Sequence, residues 1–348
     1  VGAYTSPHLL RYNERIRIVG AEANDAALCA AFERIDQVRG NTSLTYFEFG
    51  TLAALDLFQN TDLDVAILEV GMGGRLDAVN VVDPDVAVVT TVDVDHAVWL
   101  GSDREAIGRE KAGIFRRGRP AVYADTDPPT SVLTEAARQG CALHRLGEQF
   151  GYRRREAGWD WWGPGICRTG LPEPALRGEV QLKNAAGALA ALGLLADRLP
   201  VSQAHLREGL HAVRLPGRLQ VLPGPVPQIL DVAHNPQATA ALADSLRAMP
   251  CGGRTLAVAA MLGDKEIGEA LMPLLEVVDR WHLAELPVAR GAAPARLGAA
   301  LAARGIPSTS HPTVAAARHA ALTEAVSGDR VVIFGSFYTV AGALAETL

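Results

Sequence analysis

Short apolar runs alternate with longer stretches of helical spacing along this chain, and that alternation predicts strands and helices taking turns. Asp64-Val65-Ala66-Ile67-Leu68 and Val86-Ala87-Val88-Val89-Thr90-Thr91-Val92 are rich in β-branched and aliphatic residues, which predicts strands buried on both faces of a parallel sheet. A third strand is expected near 120–124, with helices near 46–59 and 103–112. The segment 145–180, carrying Trp, Pro and Gly, reads as a small β excursion, and Asn184 opens a small-residue helix over 184–192. Leu215-Pro216-Gly217-Arg218 then punctuates the chain. Beyond it the pattern resumes, with strands near 228–232, 255–261, 280–284 and 330–335 and Ala-rich helices near 292–304 and 315–325. The reading is a doubly wound α/β protein with one domain over 1–216 and a second over 217–348; at 348 residues each domain can bury its own core.

Chemistry collects where the strands end. Leu68-Glu69-Val70-Gly71-Met72-Gly73-Gly74 sets a carboxylate and flexible glycines just past a strand, and Val92-Asp93-Val94-Asp95-His96 delivers two acids and an imidazole past the next. Open α/β sheets bind ligands at the carboxyl ends of their strands, so these residues are expected to share one crevice in a nucleotide- and magnesium-dependent enzyme. Glu69, placed in an apolar run, reads as a buried carboxylate that is costly without a partner. Ile229-Leu230-Asp231 runs into Val232-Ala233-His234-Asn235-Pro236, and Val331-Val332-Ile333-Phe334 into Gly335-Ser336-Phe337, repeating the design. Each candidate has a structural alternative: a turn residue for Ser6 before Pro7, a helix cap for His96, Asn184 and Asp231, and a solvated charge for Arg218.

A formal charge of −6 argues against a nucleic-acid partner, and no apolar run is long enough for a membrane span. With no signal peptide at its start the protein is expected in the cytoplasm. Cys29, Cys141, Cys167 and Cys251 are scattered without metal-binding or disulfide spacing. Arg153-Arg154-Arg155 beside Trp159, Trp161 and Trp162 reads as an exposed hairpin rather than a stacking platform. Lysine occurs only at Lys111, Lys183 and Lys265. Arginine stays protonated, whereas a lysine can become a neutral amine and add carbon dioxide, so Lys111 is a candidate for that chemistry. Lys265 is left open and Lys183 is taken as a surface residue.

Several segments in order carry a resemblance: Tyr4-Thr5-Ser6-Pro7-His8-Leu9, Arg11-Tyr12-Asn13-Glu14-Arg15, Thr45-Tyr46-Phe47-Glu48-Phe49-Gly50-Thr51, Leu68 to Asp77, Asp95-His96 with Trp99-Leu100-Gly101, Arg109 to Phe115, Leu215 to Arg218, Asp231 to Pro236 and Gly335-Ser336-Phe337. Over essentially its whole length the chain resembles the bacterial folylpolyglutamate synthase/dihydrofolate synthase family of the Mur ligase superfamily. That resemblance implies a Mur-ligase-like central ATPase domain with a mostly parallel sheet, followed by a C-terminal Rossmann-like α/β domain. It implies an ATP-dependent amide ligase in folate biosynthesis, in which dihydropteroate or the side-chain carboxylate of a folyl-glutamate becomes an acyl phosphate and is attacked by the amine of L-glutamate. Ser6, Glu69 and His96 are then the Mg2+ ligands, and Lys111 carries a carbamate. Asn184, Arg218 and Asp231 contact ATP, and His234 lies near the nucleotide and the incoming glutamate as a catalytic residue. Phe47, Leu76 and Asp77, bordered by Pro7 and His8, form the pterin side of the folate pocket. A monomer is expected.

The chain departs from the family in one respect. Family members carry a phosphate-binding loop of the type Gly-Thr-Asn-Gly-Lys-Gly-Ser shortly before the segment matching Tyr4-Thr5-Ser6, and none of the three lysines here precedes a Ser or Thr. The expectation is a chain short of its first strand, loop and helix, with little ligase activity by itself. A Mur-type peptide ligase of cell-wall synthesis and a non-catalytic ATP-binding remnant are the alternatives.

Overall fold

Strand β1 (Gly2–Tyr4) is the hub of a four-stranded sheet in the order β3 (Ala21–Glu22), β2 (Ile16–Ile18), β1, β4 (Ala66–Leu68). The computed structural model describes residues 1–94, 101 and 103–345 and divides into two compact units, one of Val1–Glu173 with Lys183–Leu210, the other of Pro174–Leu182 with His211–Leu348. In the first unit β2 runs antiparallel and β4 parallel to β1. Helices α1 (Asp25–Arg39) and α2 (Tyr46–Gln59) start where local chemistry tells them to: the Asn24 side chain accepts from the Ala27 amide, and Thr45 and Glu48 form a reciprocal capping box. Ala53, Ala54, Leu57 and Phe58 line one stripe of α2 and pack with Tyr4, Ile16 and Leu28.

The expectation that the run 64–68 is buried on both faces is overturned. Ala66 and Ile67 are exposed, Ile67 at 54%. The physical reason is position: β4 ends its sheet, and among the described residues only β1 pairs with it. The run at 86–92 behaves alike. β5 (Ala87–Val89) ends a parallel three-stranded sheet with β6 (Ala121–Tyr123) and β7 (Leu143–Arg145), and its central Val88 is 38% exposed while Ala87 and Val89 are buried under α3 (Arg104–Ala112) and α4 (Thr130–Gln139).

A small antiparallel sheet of β8 (Gly151–Arg154), β9 (Trp159–Gly163) and β10 (Ile166–Leu171) occupies the predicted β excursion. It is not an exposed hairpin. Strand alternation puts Trp159 and Trp161 on one face, where both are buried, and leaves Trp162 on the other. The two buried indoles donate to the Pro172 and Ala186 carbonyls at 2.8 and 3.1 Å. Ala186 belongs to α5 (Glu179–Leu194), which begins five residues before Asn184, so Asn184 sits inside the helix and does not cap it. Helix α6 (Gln203–Ala212) follows.

The second unit is built on six strands in the order β11 (Gln220–Leu222), β12 (Gln228–Asp231), β16 (Arg330–Phe334), β13 (Thr255–Ala259), β14 (Arg280–Ala284), β15 (Thr309–His311). Only β11 is antiparallel. Helices α7 (Pro236–Ala248), α8 (Ile267–Leu271), α9 (Pro294–Ala302), α10 (Val314–Glu324) and α11 (Phe337–Leu344) supply the crossovers and cover of a Rossmann-like fold. Its central strands β13 and β16 are buried along their whole length, as their composition requires.

Candidate active site

At the carboxyl ends of β1 and β4 the backbone ladder continues one step, with the Glu69 amide donating to the Tyr4 carbonyl at 2.9 Å. The Ser6 amide then donates to Glu69 Oε2 at 2.8 Å, which joins two of the predicted metal ligands. Glu69 is exposed rather than buried, so its carboxylate does not carry the desolvation penalty expected for it. A carboxylate and a hydroxyl are hard oxygen donors of the kind that Mg2+ or Mn2+ takes. Among the described residues no three His, Cys, Asp or Glu side chains gather into a cluster that could hold a metal, and His96, with Asp95, lies outside the described residues.

The glycine loop after Glu69 is packed from two sides. A Cβ on Gly71 would come within 2.6 Å of the Phe47 ring, and one on Gly74 would lie 2.8 Å from the Glu110 carbonyl and 3.0 Å from that of Lys111. Only glycine permits both approaches. The Arg75 amide donates to the Glu110 carbonyl at 2.8 Å and its guanidinium pairs with the Glu110 carboxylate at 3.0 Å, drawing the last turn of α3, with Lys111, against the loop. Asp77 is committed to the backbone: Oδ2 accepts from the Met72 amide and Oδ1 from the Val79 amide, at 2.9 and 3.0 Å. Leu76 is 79% exposed. Ser6, Phe47, Glu69, Leu76, Asp77 and Lys111 thus belong to one neighbourhood in the first unit.

Pro7 is exposed and follows a cis peptide bond; His8 is half-buried. Arg15 Nε donates to His8 Nδ1 at 2.8 Å, and burial together with the Arg15 charge pushes the imidazole pKa down. Glu14 accepts from the amides of Leu9, Leu10 and Arg11, each at 2.7 Å. Sequence reasoning assigned nothing to Glu14 or Arg15, although they stand in a motif it singled out. It also misread Lys183: the ammonium pairs with Asp125 Oδ1 at 2.9 Å, and Thr91 donates to Asp125 Oδ2 at 3.0 Å. In a chain with three lysines, that scarcity was the available signal.

In the second unit Arg218 stacks its guanidinium over the Phe337 ring at 5.6 Å. Asp231, the last residue of β12, accepts from the Leu219 and Ala233 amides, both at 2.8 Å. Burial raises its pKa in spite of those amides and the Arg218 charge. The cap of α7 is Asn235, whose side chain accepts from the Ala238 amide, so Asp231 is not a helix cap. His234 Nδ1 lies 2.9 Å from the Val232 carbonyl; a carbonyl only accepts, so Nδ1 carries the proton. Arg218, Asp231, His234 and Phe337 therefore group within this unit, whereas Asn184 belongs to the first. Asp264, next to Lys265, pairs with Arg290 at 2.8 Å.

The model of the Mur ligase middle domain matches residues 25–192, and that of the Mur ligase glutamate ligase domain matches residues 217–337. A dihydrofolate synthase/folylpolyglutamate synthase from Escherichia coli is 46% identical over 341 residues, covering 98% of this chain and 78% of that protein. The solved structure of E. coli FolC in complex with DHPP and ADP superposes with a TM-score of 0.94 at 44% identity, covering 99% of this chain and 81% of that one. A bifunctional folylpolyglutamate synthase/dihydrofolate synthase from Yersinia pestis, complexed with AMPPNP and Mn ion, superposes with a TM-score of 0.93 at 46% identity, covering 99% and 82%.

Proposed function

The chain belongs to the dihydrofolate synthase/folylpolyglutamate synthase family of Mur-type ligases, and on that premise we propose that it is an ATP-dependent ligase of folate metabolism. It joins L-glutamate to dihydropteroate, or to the γ-carboxyl of a folyl-glutamate, through an acyl phosphate. The observation that carries this reading is the bond from Ser6 to Glu69 at adjoining strand ends, walled by Phe47 and the Asp77-anchored loop.

Ser6, Glu69 and His96 are the side chains that would hold a divalent metal. When bound, such an ion neutralises phosphate oxygens and keeps positions open for them. Phe47, Leu76, Asp77, Pro7 and His8 border the pterin pocket. In the second unit Arg218 and Asp231 serve the nucleotide, the guanidinium meeting base or phosphates and the carboxylate the ribose hydroxyls; in the first unit Asn184 is the residue assigned to nucleotide contact. His234, its Nδ1–H held by the Val232 carbonyl, acts beside the incoming glutamate, whose amine must be in its free-base form to react. The freed amine attacks the acyl carbon, the new C–N bond forms and phosphate leaves. Lys111, as its carbamate, adds an anionic oxygen pair; Lys111→Arg keeps a cation but cannot carry carbon dioxide, and loss of a labelled carbamate signal from bicarbonate-fed protein in that variant tests the role.

Among the described residues no helix is long and apolar enough to cross a membrane. Calorimetric titration with dihydropteroate and, separately, with a UDP-muramyl peptide tests the substrate class. Binding of dihydropteroate alone is expected. Binding of the muramyl peptide alone would move the protein to the cell-wall ligases, and binding of ATP without either acid would make it a nucleotide-binding remnant.

A further inference from the structure

The 3₁₀ turn Tyr12–Arg15 holds the segment before it from two points. Glu14 ties down the amides of Leu9, Leu10 and Arg11, a concave run of N–H groups closed by one carboxylate. Arg15 is 8% exposed, and among the described residues no carboxylate pairs with it. Its guanidinium instead faces the rings of Tyr12 and Tyr46, 5.4 and 5.3 Å from their centroids, which offsets part of the desolvation of a buried cation. The side-chain acceptor it reaches is His8 Nδ1, at 2.8 Å.

Guanidinium nitrogens only donate, so His8 Nδ1 must hold its lone pair and the ring proton must sit on Nε2. We propose that Arg15 is a positioning residue: it fixes His8 in the Nε2–H tautomer and thereby presents the bound folate substrate with a neutral hydrogen-bond donor. The proposal rests on the reading of Pro7 and His8 as the border of the folate pocket. A lysine cannot replace Arg15 here, because a point ammonium lacks the planar fork that meets the two tyrosines and the imidazole together.

Long-range proton–nitrogen NMR of the labelled 348-residue chain reads the tautomer, and calorimetry with dihydropteroate reads its use. In the wild-type protein His8 should show a protonated Nε2. Arg15→Lys, which retains charge and stem, and Arg15→Met should each give a mixture of tautomers and weaken dihydropteroate about tenfold, the scale of one well-placed hydrogen bond. A protonated Nδ1 in the wild type overturns the proposal, as do variants that keep both tautomer and affinity. If the tautomer is as expected but His8→Ala binds dihydropteroate undiminished, the pocket reading fails while the Arg15–His8 geometry stands.

Discussion

The Ser6 amide and the Glu69 carboxylate, far apart in sequence, meet at 2.8 Å where β1 and β4 end. One Glu69 oxygen is thereby oriented by the backbone, which suits the ligand role proposed for it. Glu69→Gln keeps the shape and removes the charge. Mn2+ affinity, followed by titration calorimetry, should fall at least tenfold, the scale of losing even a supporting group around a metal; unchanged affinity would place the ion elsewhere.

Gly71→Ala drives a methyl into the Phe47 ring, which already leans on Tyr4 at a centroid separation of 5.6 Å. Overpacking of this kind costs about 1–3 kcal/mol. A lowered urea midpoint with an unchanged slope is expected, together with weaker dihydropteroate binding.

The Tyr4 hydroxyl is fully buried without a hydrogen-bond partner. An orphaned polar group carries its desolvation penalty uncompensated, so Tyr4→Phe should leave stability unchanged or raise it by about 1 kcal/mol. A drop in Tm of several degrees would show that the hydroxyl does have a partner.

Asp329 links acid sensitivity to the second unit. The Val326 and Arg254 amides, at 3.0 and 2.7 Å, and then the Arg254 guanidinium push its pKa down to about 2. A depressed carboxylate adds stability that is fully present above its unfolded value of about 3.9 and is lost as pH falls toward the folded one. Asp329→Asn should therefore be less stable than the wild type at pH 7, with the difference closing between about pH 4 and pH 2. A constant difference across that range, measured by denaturant unfolding, would contradict the assignment.

Much of the architecture was legible in the chain because composition and exposure agree there. β13 and β16 are largely apolar and buried throughout, and the helices around them have alanine stripes or clear caps. β15, Thr-Ser-His, was not legible, since an end strand made of polar residues carries no periodic signal. β4 shows the reverse failure: its composition says interior while its place at the end of the sheet leaves Ile67 in solvent. The site divides in the same way. Strand-end residues such as Glu69 and Asp231 stand out by position, but Arg15 and Asp125 act through folded neighbours, His8 and Lys183, that no local pattern announces.

The indoles buried by the β8–β10 sheet also make the first unit report on itself. Trp159 and Trp161 lie in a buried, hydrogen-bonded interior, Trp162 on a partly exposed surface, and Trp281 in the core of the second unit. Among the described tryptophans, collisional quenchers should thus extinguish Trp162 first, and replacing Trp281 by phenylalanine would leave an intrinsic fluorescence signal dominated by the unit that holds Glu69 and Lys111.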